Sequence, residues 1–234
     1  MNELIYRWDQ IRSKIHQACQ RANRDPKSVH VVAVTKYLDL EGTKQVLDAG
    51  LEHIGESRVQ DAVPKWKQLG ERGIWHFIGH LQRNKVKEVV GRFQYLHSLD
   101  RFSLAEEVNR RANQKDTVIH CFLQVNVSGE ESKFGISPDE LEDFSKEVAN
   151  LSHIEIAGLM TMAPKVENPE EVRPVFRELK RLQQQLQKLD HPRLGVPHLS
   201  MGMSQDFEIA IEEGATWVRI GSVLVGGYQR GDQQ

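Results

Sequence analysis

Short apolar runs alternate along the chain with longer amphipathic stretches. Apolar runs of this length are typical of buried strands, whereas the amphipathic stretches repeat apolar residues at the three- and four-residue steps of helices. The apolar runs predict eight strands, over residues 30–35, 52–55, 75–78, 95–98, 117–127, 154–159, 196–199 and 216–220. The amphipathic stretches predict helices over residues 2–24, 39–49, 81–90, 102–113, 168–189 and 204–213, with two more beginning at Ser57 and Ser137.

This alternation indicates an α/β protein with a (β/α)8 TIM barrel. Eight strands, each followed by a helix or a glycine-rich end, is the count of that fold, and the first helix is an addition before strand one. No internal repeat or long linker interrupts the pattern, so we expect a single domain over residues 1–234. A doubly wound open sheet is the alternative, although the chain contains no GxGxxG turn to support it.

The first strand ends in a charge. Its apolar residues lead directly through Thr35 to Lys36, at the predicted mouth of the barrel. Desolvation there disfavours the ammonium form and makes the neutral amine accessible, which is the form that condenses with an aldehyde. The alternative is that Lys36 simply emerges into solvent where the strand ends.

Two turns at the end of the chain are typical of an anion site. The segment Ser200-Met201-Gly202-Met203-Ser204 follows predicted strand seven, and Gly221-Ser222 follows strand eight. In TIM barrels the loops after these two strands often bind phosphate, through hydroxyls and backbone N–H groups. The alternative is ordinary capping of the next helix by Ser204 and a tight turn at Gly221.

Arg219 lies inside the apolar strand eight, where an arginine is costly without a partner. One interpretation pairs it with a core carboxylate from a neighbouring strand. The other places it against an aromatic heterocycle whose phosphate binds at the adjacent turns. A strand-end lysine, a phosphate site and an internal arginine together match pyridoxal 5′-phosphate.

Composition and charge exclude several other classes of protein. The net charge is −2, with 31 basic and 33 acidic residues, so no basic surplus indicates a nucleic-acid partner, and residues 83–87 are interpreted as a solvated basic face. Cys19 and Cys121 have no metal-type spacing and are expected to be buried thiols. We expect no signal peptide, because residues 1–15 mix charges through a helical pattern, and no membrane span, so the expected location is the cytoplasm.

Ordered motifs over nearly the whole chain resemble the pyridoxal phosphate homeostasis protein family, whose fold is similar to the barrel domain of alanine racemase. The matching segments are VAVTK at 32–36, GE at 55–56 with VQ at 59–60, HFIGHLQ at 76–82 with NK at 84–85, QVN at 124–126, SKFG at 132–135, GLMTM at 158–162, SMGMS at 200–204, and VRIGS at 218–222 through Gly226. Ser57 departs from the asparagine that the family often has there, so the side chain at this position carries a hydroxyl in place of an amide.

The resemblance implies a role for each candidate residue. Lys36 would form the aldimine with pyridoxal phosphate, Arg219 would face the pyridine nitrogen, and the two turns would hold the phosphate. Further residues near the ring would be His80, Asn126 and Met160. Lys133, in a glycine-flanked loop, is a hypothetical second lysine that could take or pass on the aldehyde.

We expect a cofactor-binding protein of vitamin B6 and amino-acid homeostasis without strong catalytic activity. An arginine facing the ring nitrogen disfavours a pyridinium, and the second domain that supplies the opposite acid/base group in alanine racemase is not expected here. The alternatives are a pyridoxal-phosphate-dependent amino-acid racemase or lyase, and a Schiff-base aldolase acting on a phosphosugar. Pyridoxal-phosphate-dependent apoenzymes are the candidate partners, a monomer is favoured, and no metal site is expected.

Overall fold

Eight parallel strands close into a barrel in a computed structural model that describes residues 2–130, 133–189 and 191–226. The strands are β1 (His30–Val34), β2 (His53–Glu56), β3 (Ile74–Phe77), β4 (Tyr95–Leu99), β5 (Ile119–Gln124), β6 (Ile154–Met160), β7 (His198–Met203) and β8 (Trp217–Ile220). Each strand pairs with the next one along the chain, and β8 pairs with β1 to complete the circle. The predicted TIM barrel is therefore confirmed, and the open sheet is excluded.

Helices surround this barrel, and all but the short last one follow the chain order that the amphipathic pattern predicts. They are α1 (Asn2–Arg21), α2 (Leu40–Asp48), α3 (Val59–Leu69), α4 (Val86–Val89), α5 (Phe102–Gln114), α6 (Leu141–Ala149), α7 (Arg173–Gln187), α8 (Phe207–Glu212) and α9 (Ser222–Val225). The extra helix before β1 is present as expected. Within the described residues, no helix combines the length and the hydropathy needed to cross a membrane.

One boundary error matters for the site. The sequence predicts strand seven over residues 196–199 and a helix from Ser204, whereas β7 runs to Met203 and α8 begins at Phe207. The strand continues because Met203 still pairs with Arg219 of β8, after a register shift beyond Ser200. Ser200, Met201 and Gly202 are therefore strand residues rather than a loop, and Ser204 does not cap α8.

The hydrophobic core has two parts. The larger fills the space between the barrel and the helices, and it includes both buried cysteines, as predicted. The smaller lies inside the barrel and consists of Val32, Phe122, Ala157, Met160 and Trp217. Apolar side chains therefore fill part of the inside of the barrel, and polar groups packed beside them require specific partners.

The segment after β5 is only partly described. Glu131 and Ser132, which belong to the predicted loop over residues 128–135 and to the SKFG motif, lie outside the described residues. Gly135 adopts a φ of +133°, and a Cβ there would lie 2.6 Å from the backbone nitrogen of Asn126. A side chain at that position would collide with the strand end, so the glycine is required for the loop to return.

Candidate functional site

A cavity of about 560 Å³ opens at the carboxyl ends of the strands. Its volume lies in the range of roughly 300–1,000 Å³ that is typical of small-molecule sites. Among the residues that the sequence singles out, the lining includes Lys36, His80, Ser204, Arg219, Gly221 and Ser222. These six come from four different strand ends, and only closure of the barrel brings them together.

Lys36 lies two residues beyond the end of β1, half-buried at the cavity wall. Its Nζ is 4.9 Å from the centre of the Tyr37 ring, and that ring is exposed. The backbone beneath it is held by a buried network in which the hydroxyl of Thr35 and the ammonium of Lys65 both donate to Oε1 of Glu56, at 2.6 and 2.8 Å. Lys36 therefore projects from a strand end that is rigidly anchored.

Arg219 is 5% exposed, and neutral groups hold its guanidinium. Its Nη1 donates to Oγ of Ser200 at 2.6 Å, and its Nη2 donates to the carbonyl of Thr161 at 3.0 Å. Within the described residues no carboxylate lies within ion-pair distance of it, so the alternative of a core ion pair is wrong. Burial lowers the pKa of Arg219 to about 10, against the opposing effect of Asp206, which leaves it charged at neutral pH.

The turns after β7 and β8 meet at one edge of the cavity. Oγ of Ser204 accepts a hydrogen bond from the backbone N–H of Gly221 at 3.2 Å, which joins the two turns. A Cβ at Gly221 would lie 3.3 Å from Cβ of Val34, so the chain passes close to β1 at this point. Ser204, Gly221 and Ser222 thus form a cup of hydroxyl and backbone groups, such as a phosphate requires.

Asp206 lies beside this cup and was not singled out from the sequence. Its Oδ1 accepts a hydrogen bond from the backbone N–H of Met203 at 2.5 Å, and it shapes the turn after β7. Burial raises the pKa of Asp206, and the hydrogen bond from Met203 and the charge of Arg219 partly oppose that rise.

Three residues expected in the cup lie below it, because β7 continues further than predicted. Ser200 is fully buried beneath Arg219, and Met201 packs into the larger core. Gly202 has a φ of +91°, and a Cβ there would lie 2.5 Å from Cβ of Ala210 in α8. None of the three lines the cavity, so the structure brings Ser200 to Arg219 rather than to the turns.

The residues expected near the ring divide in the same way. His80 lines the cavity, stacks on Phe134 with ring centres 3.9 Å apart, and lies 3.7 Å from Asp100. Met160 belongs to the inner core, below the cavity. Asn126 donates to the backbone carbonyls of Glu130 and Lys133, so it shapes the loop after β5.

Two other predictions concern residues at the rim. Lys133 pairs with Glu130 at 2.8 Å and does not line the cavity. Ser57 lines the cavity in the place where the family often has asparagine. A Cβ at Gly79 would lie 2.2 Å from the carbonyl oxygen of Ser57, so the two strand ends touch through their backbones.

Sequence reasoning assigned no role to several lining residues that flank the predicted ones. They are Tyr37, Gln124, Phe134, Met162, Pro164, Lys165, Met203, Gln205 and Asp206. Four of them lie within motifs quoted above and two directly follow such a motif, so proximity to strand ends was the available signal. Across the described ranges, no group of three or more His, Cys, Asp or Glu side chains could hold a metal ion.

Comparisons with known proteins agree with this architecture. The model of the alanine racemase N-terminal domain matches residues 7–229. A pyridoxal phosphate homeostasis protein of Aquifex aeolicus (strain VF5) is 42% identical over 221 residues, which cover 94% of this chain and 96% of that protein. Its counterpart in Escherichia coli (strain K12) is 34% identical, with 97% of both chains covered.

Solved structures place the chain in the same group. PipY of Synechococcus elongatus PCC7942, solved with pyridoxal phosphate bound, is 32% identical with a TM-score of 0.83, over 95% of this chain and all 100% of that one. An alanine racemase of Clostridium difficile 630, with a TM-score of 0.74 but 13% identity over 59% of its length, shares the fold alone. The chain therefore belongs to the alanine racemase N-terminal domain family and, within it, to the pyridoxal phosphate homeostasis proteins.

Proposed function

We propose that this protein binds pyridoxal 5′-phosphate in the cavity and holds it through a covalent link to Lys36. The observation that carries the proposal is Arg219, a buried cation whose protein partners are a hydroxyl and a carbonyl. A buried guanidinium without a carboxylate is costly, and an acceptor on a ligand would offset that cost. The pyridine nitrogen or the phosphate of the cofactor is such an acceptor.

The remaining lining residues fit the other groups of the cofactor. In the cup of Ser204, Gly221 and Ser222, the two hydroxyls offer donors for the phosphate, while the N–H of Gly221 donates to Oγ of Ser204 and holds that hydroxyl in place. The Lys36 amine, at another wall of the same cavity, is available to the aldehyde. Condensation forms a C=N bond between Nζ and the aldehyde carbon and releases one water, and hydrolysis returns both groups, so the link is reversible.

A holding role suits this site better than catalysis. Carbanion chemistry on pyridoxal phosphate needs an electron-poor ring, which a protonated ring nitrogen supplies. Arg219 donates hydrogen bonds and accepts none, so it favours the unprotonated nitrogen. The relatives are called homeostasis proteins. We infer a role in vitamin B6 and amino-acid homeostasis, with the lysine aldimine as the stored form.

The alternative is a pyridoxal-phosphate-dependent racemase or lyase. His80 favours it, because an imidazole in the cavity wall with Asp100 at 3.7 Å could move a proton. Steady conversion of a free amino acid that disappears in both Lys36→Ala and His80→Ala would establish this alternative. Loss in Lys36→Ala alone would leave His80 without a role.

The proposal is tested by an absorbance spectrum, borohydride reduction and peptide mapping of the purified protein. We expect a yellow protein whose reduced pyridoxyl group lies on Lys36. Lys165→Ala is the matched control, because Lys165 lines the same cavity. An adduct on Lys165, or a protein that stays colourless and unmodified after incubation with pyridoxal phosphate, would overturn the assignment.

Location and partners follow as part of the same proposal. The unpaired, buried thiols of Cys19 and Cys121 are typical of a reducing compartment, which supports the cytoplasm. We infer a monomer that delivers the cofactor to pyridoxal-phosphate-dependent apoenzymes. Light scattering of the purified protein tests the oligomeric state. Radiolabelled cofactor is followed from the loaded protein to an apoenzyme, with the two proteins either in one compartment or separated by a dialysis membrane. Transfer that is faster in the shared compartment indicates direct delivery, and equal transfer indicates release into solution.

A further inference from the structure

A continuous chain of hydrogen bonds runs through the inside of the barrel toward Arg219. Strands β1 to β5 and β7 each carry one histidine. Three of these join end to end: Nδ1 of His53 lies 3.0 Å from Nε2 of His76, and Nδ1 of His76 lies 2.9 Å from Nε2 of His97. Nδ1 of His97 then lies 2.8 Å from Oγ of Ser200, which accepts from Arg219.

Arg219 sets the direction of the whole chain. A guanidinium only donates hydrogen bonds, so Oγ of Ser200 accepts from Arg219 through one of its lone pairs. The single hydrogen of the Ser200 hydroxyl remains available for donation to another group. Within the described residues, the available acceptor for that hydrogen is Nδ1 of His97. His97 therefore carries its proton on Nε2 and donates to His76, and His76 in turn donates to His53. In each of these hydrogen bonds, one protonated ring nitrogen faces one unprotonated ring nitrogen.

The opposite direction leaves a buried group without a partner. If His97 donated from Nδ1, the oxygen of Ser200 would accept two hydrogen bonds and its hydroxyl hydrogen would face no acceptor. Ser200 is fully buried, and an unsatisfied buried donor is costly. Both inner histidines are neutral, because burial lowers the pKa of His76 and of His97 well below 6.5. One neutral tautomer is therefore favoured at each position.

We propose that His97, supported by His76, is a positioning residue that holds Ser200 as an acceptor and so aims the guanidinium of Arg219 into the cavity. Without His97, the hydroxyl hydrogen of Ser200 loses its acceptor, so the hydroxyl is free to rotate and its oxygen no longer presents a fixed lone pair to Arg219. The order of the hydrogen bonds is a property of the protein alone. Its effect on the cofactor rests on the function proposed above.

Nitrogen-15 NMR of the imidazole rings tests the direction without any cofactor. At neutral pH we expect His97 and His76 to be Nε2–H tautomers, with Nδ1 showing the shift of an unprotonated nitrogen. An Nδ1–H tautomer at His97 overturns the proposal. The result is independent of whether pyridoxal phosphate binds, so failure here and failure of the proposed function are separate outcomes.

The effect on the site is tested with variants loaded with pyridoxal phosphate. His97→Leu removes the acceptor, and we expect release of the cofactor to become at least about tenfold faster. His97→Asn keeps an acceptor near the place of Nδ1 and should restore release to within about twofold of the parent. His120→Leu is the matched control, because His120 lies on barrel strand β5 and stacks on Tyr95 but takes no part in the series of hydrogen bonds that leads to Arg219.

Ser200→Ala checks that the effect passes through the hydroxyl. It should accelerate release as much as His97→Leu does, and the double variant should be no faster than either one, because the two residues act in series. Additive effects, or equal acceleration in His97→Asn and His97→Leu, would contradict the proposal. Circular dichroism of each variant establishes that the barrel is intact before release is compared.

Discussion

Nζ of Lys65 in α3 lies 2.8 Å from Oε1 of Glu56 at the end of β2, and both side chains are buried. The same ammonium donates to the carbonyl of Thr35 at 2.9 Å, directly before Lys36. Oε2 of Glu56 has no hydrogen-bond partner among the described residues. The pair thus joins a helix to the strand end that carries Lys36, and it leaves one carboxylate oxygen dependent on the charge of Lys65.

Replacing Lys65 should therefore destabilise the protein strongly. Lys65→Met leaves the Glu56 carboxylate buried and unpaired, for which we expect a loss of about 3–5 kcal/mol in the free energy of unfolding. Urea denaturation measures it. Lys146→Met is the control, because Lys146 pairs with Glu142 on the exposed surface, where water screens the attraction and the loss should be small. Equal losses in the two variants would show that the buried pair has no special role.

Acid should also destabilise the fold, because His76 and His97 stay neutral inside the barrel. Burial, followed by the neighbouring charges, lowers the pKa of both well below 6.5. Below about pH 6.5 the unfolded chain binds protons at these positions and the folded chain does not, so their stability contribution is complete above that pH and is lost as the pH falls. Below that pH, each of the two histidines lowers the free energy of unfolding by at most about 1.4 kcal/mol for every unit that the pH falls.

Urea denaturation over a pH series measures that slope. His76→Asn should flatten it, because the variant lacks one of the two buried histidines that resist protonation. A free energy of unfolding that stays constant below pH 6.5, in the parent protein, would mean that the inner histidines accept protons without unfolding the barrel.

Gly158→Ala should prevent β6 and β7 from pairing normally. A Cβ at Gly158 would lie 1.9 Å from the carbonyl oxygen of His198, which is backbone and has little freedom to move. We expect a loss of at least about 2–3 kcal/mol, as is usual for overpacking. Gly195→Ala is matched in chemistry but meets nothing within 4 Å, so its effect should be small. Thermal unfolding of the two variants decides between these expectations.

Lys36→Ala should separate the covalent link from the phosphate site. We expect no reduced pyridoxyl adduct in this variant. Inorganic phosphate should still compete with pyridoxal phosphate for the cup, because Ser204, Gly221 and Ser222 are untouched. Ser204→Ala should weaken phosphate binding by about tenfold through loss of one hydroxyl. A covalent adduct that persists in Lys36→Ala would identify another lysine, with Lys165 in the same cavity and Lys133 at its rim as the first candidates.

The first six strands and the last show how much the pattern alone could predict. Apolar runs located them to within a few residues, and the order of strands and helices implied the barrel. The end of β7 was wrong because the residues at 200–203 are mixed in polarity, and pairing of Met203 with Arg219 keeps them extended. Local composition does not contain that pairing.

The sequence by itself determined the fold class and the strand ends at which Lys36 and Gly221 lie, because the period of apolar residues depends only on neighbouring positions. The tertiary structure decided what those residues meet. His97 and Ser200 are 103 positions apart, and among the described residues the partners of Arg219 inside the closed barrel are a hydroxyl and a carbonyl rather than a carboxylate. Contacts of this kind depend on strand register around the whole circle, so they follow from the geometry of closure rather than from any local pattern.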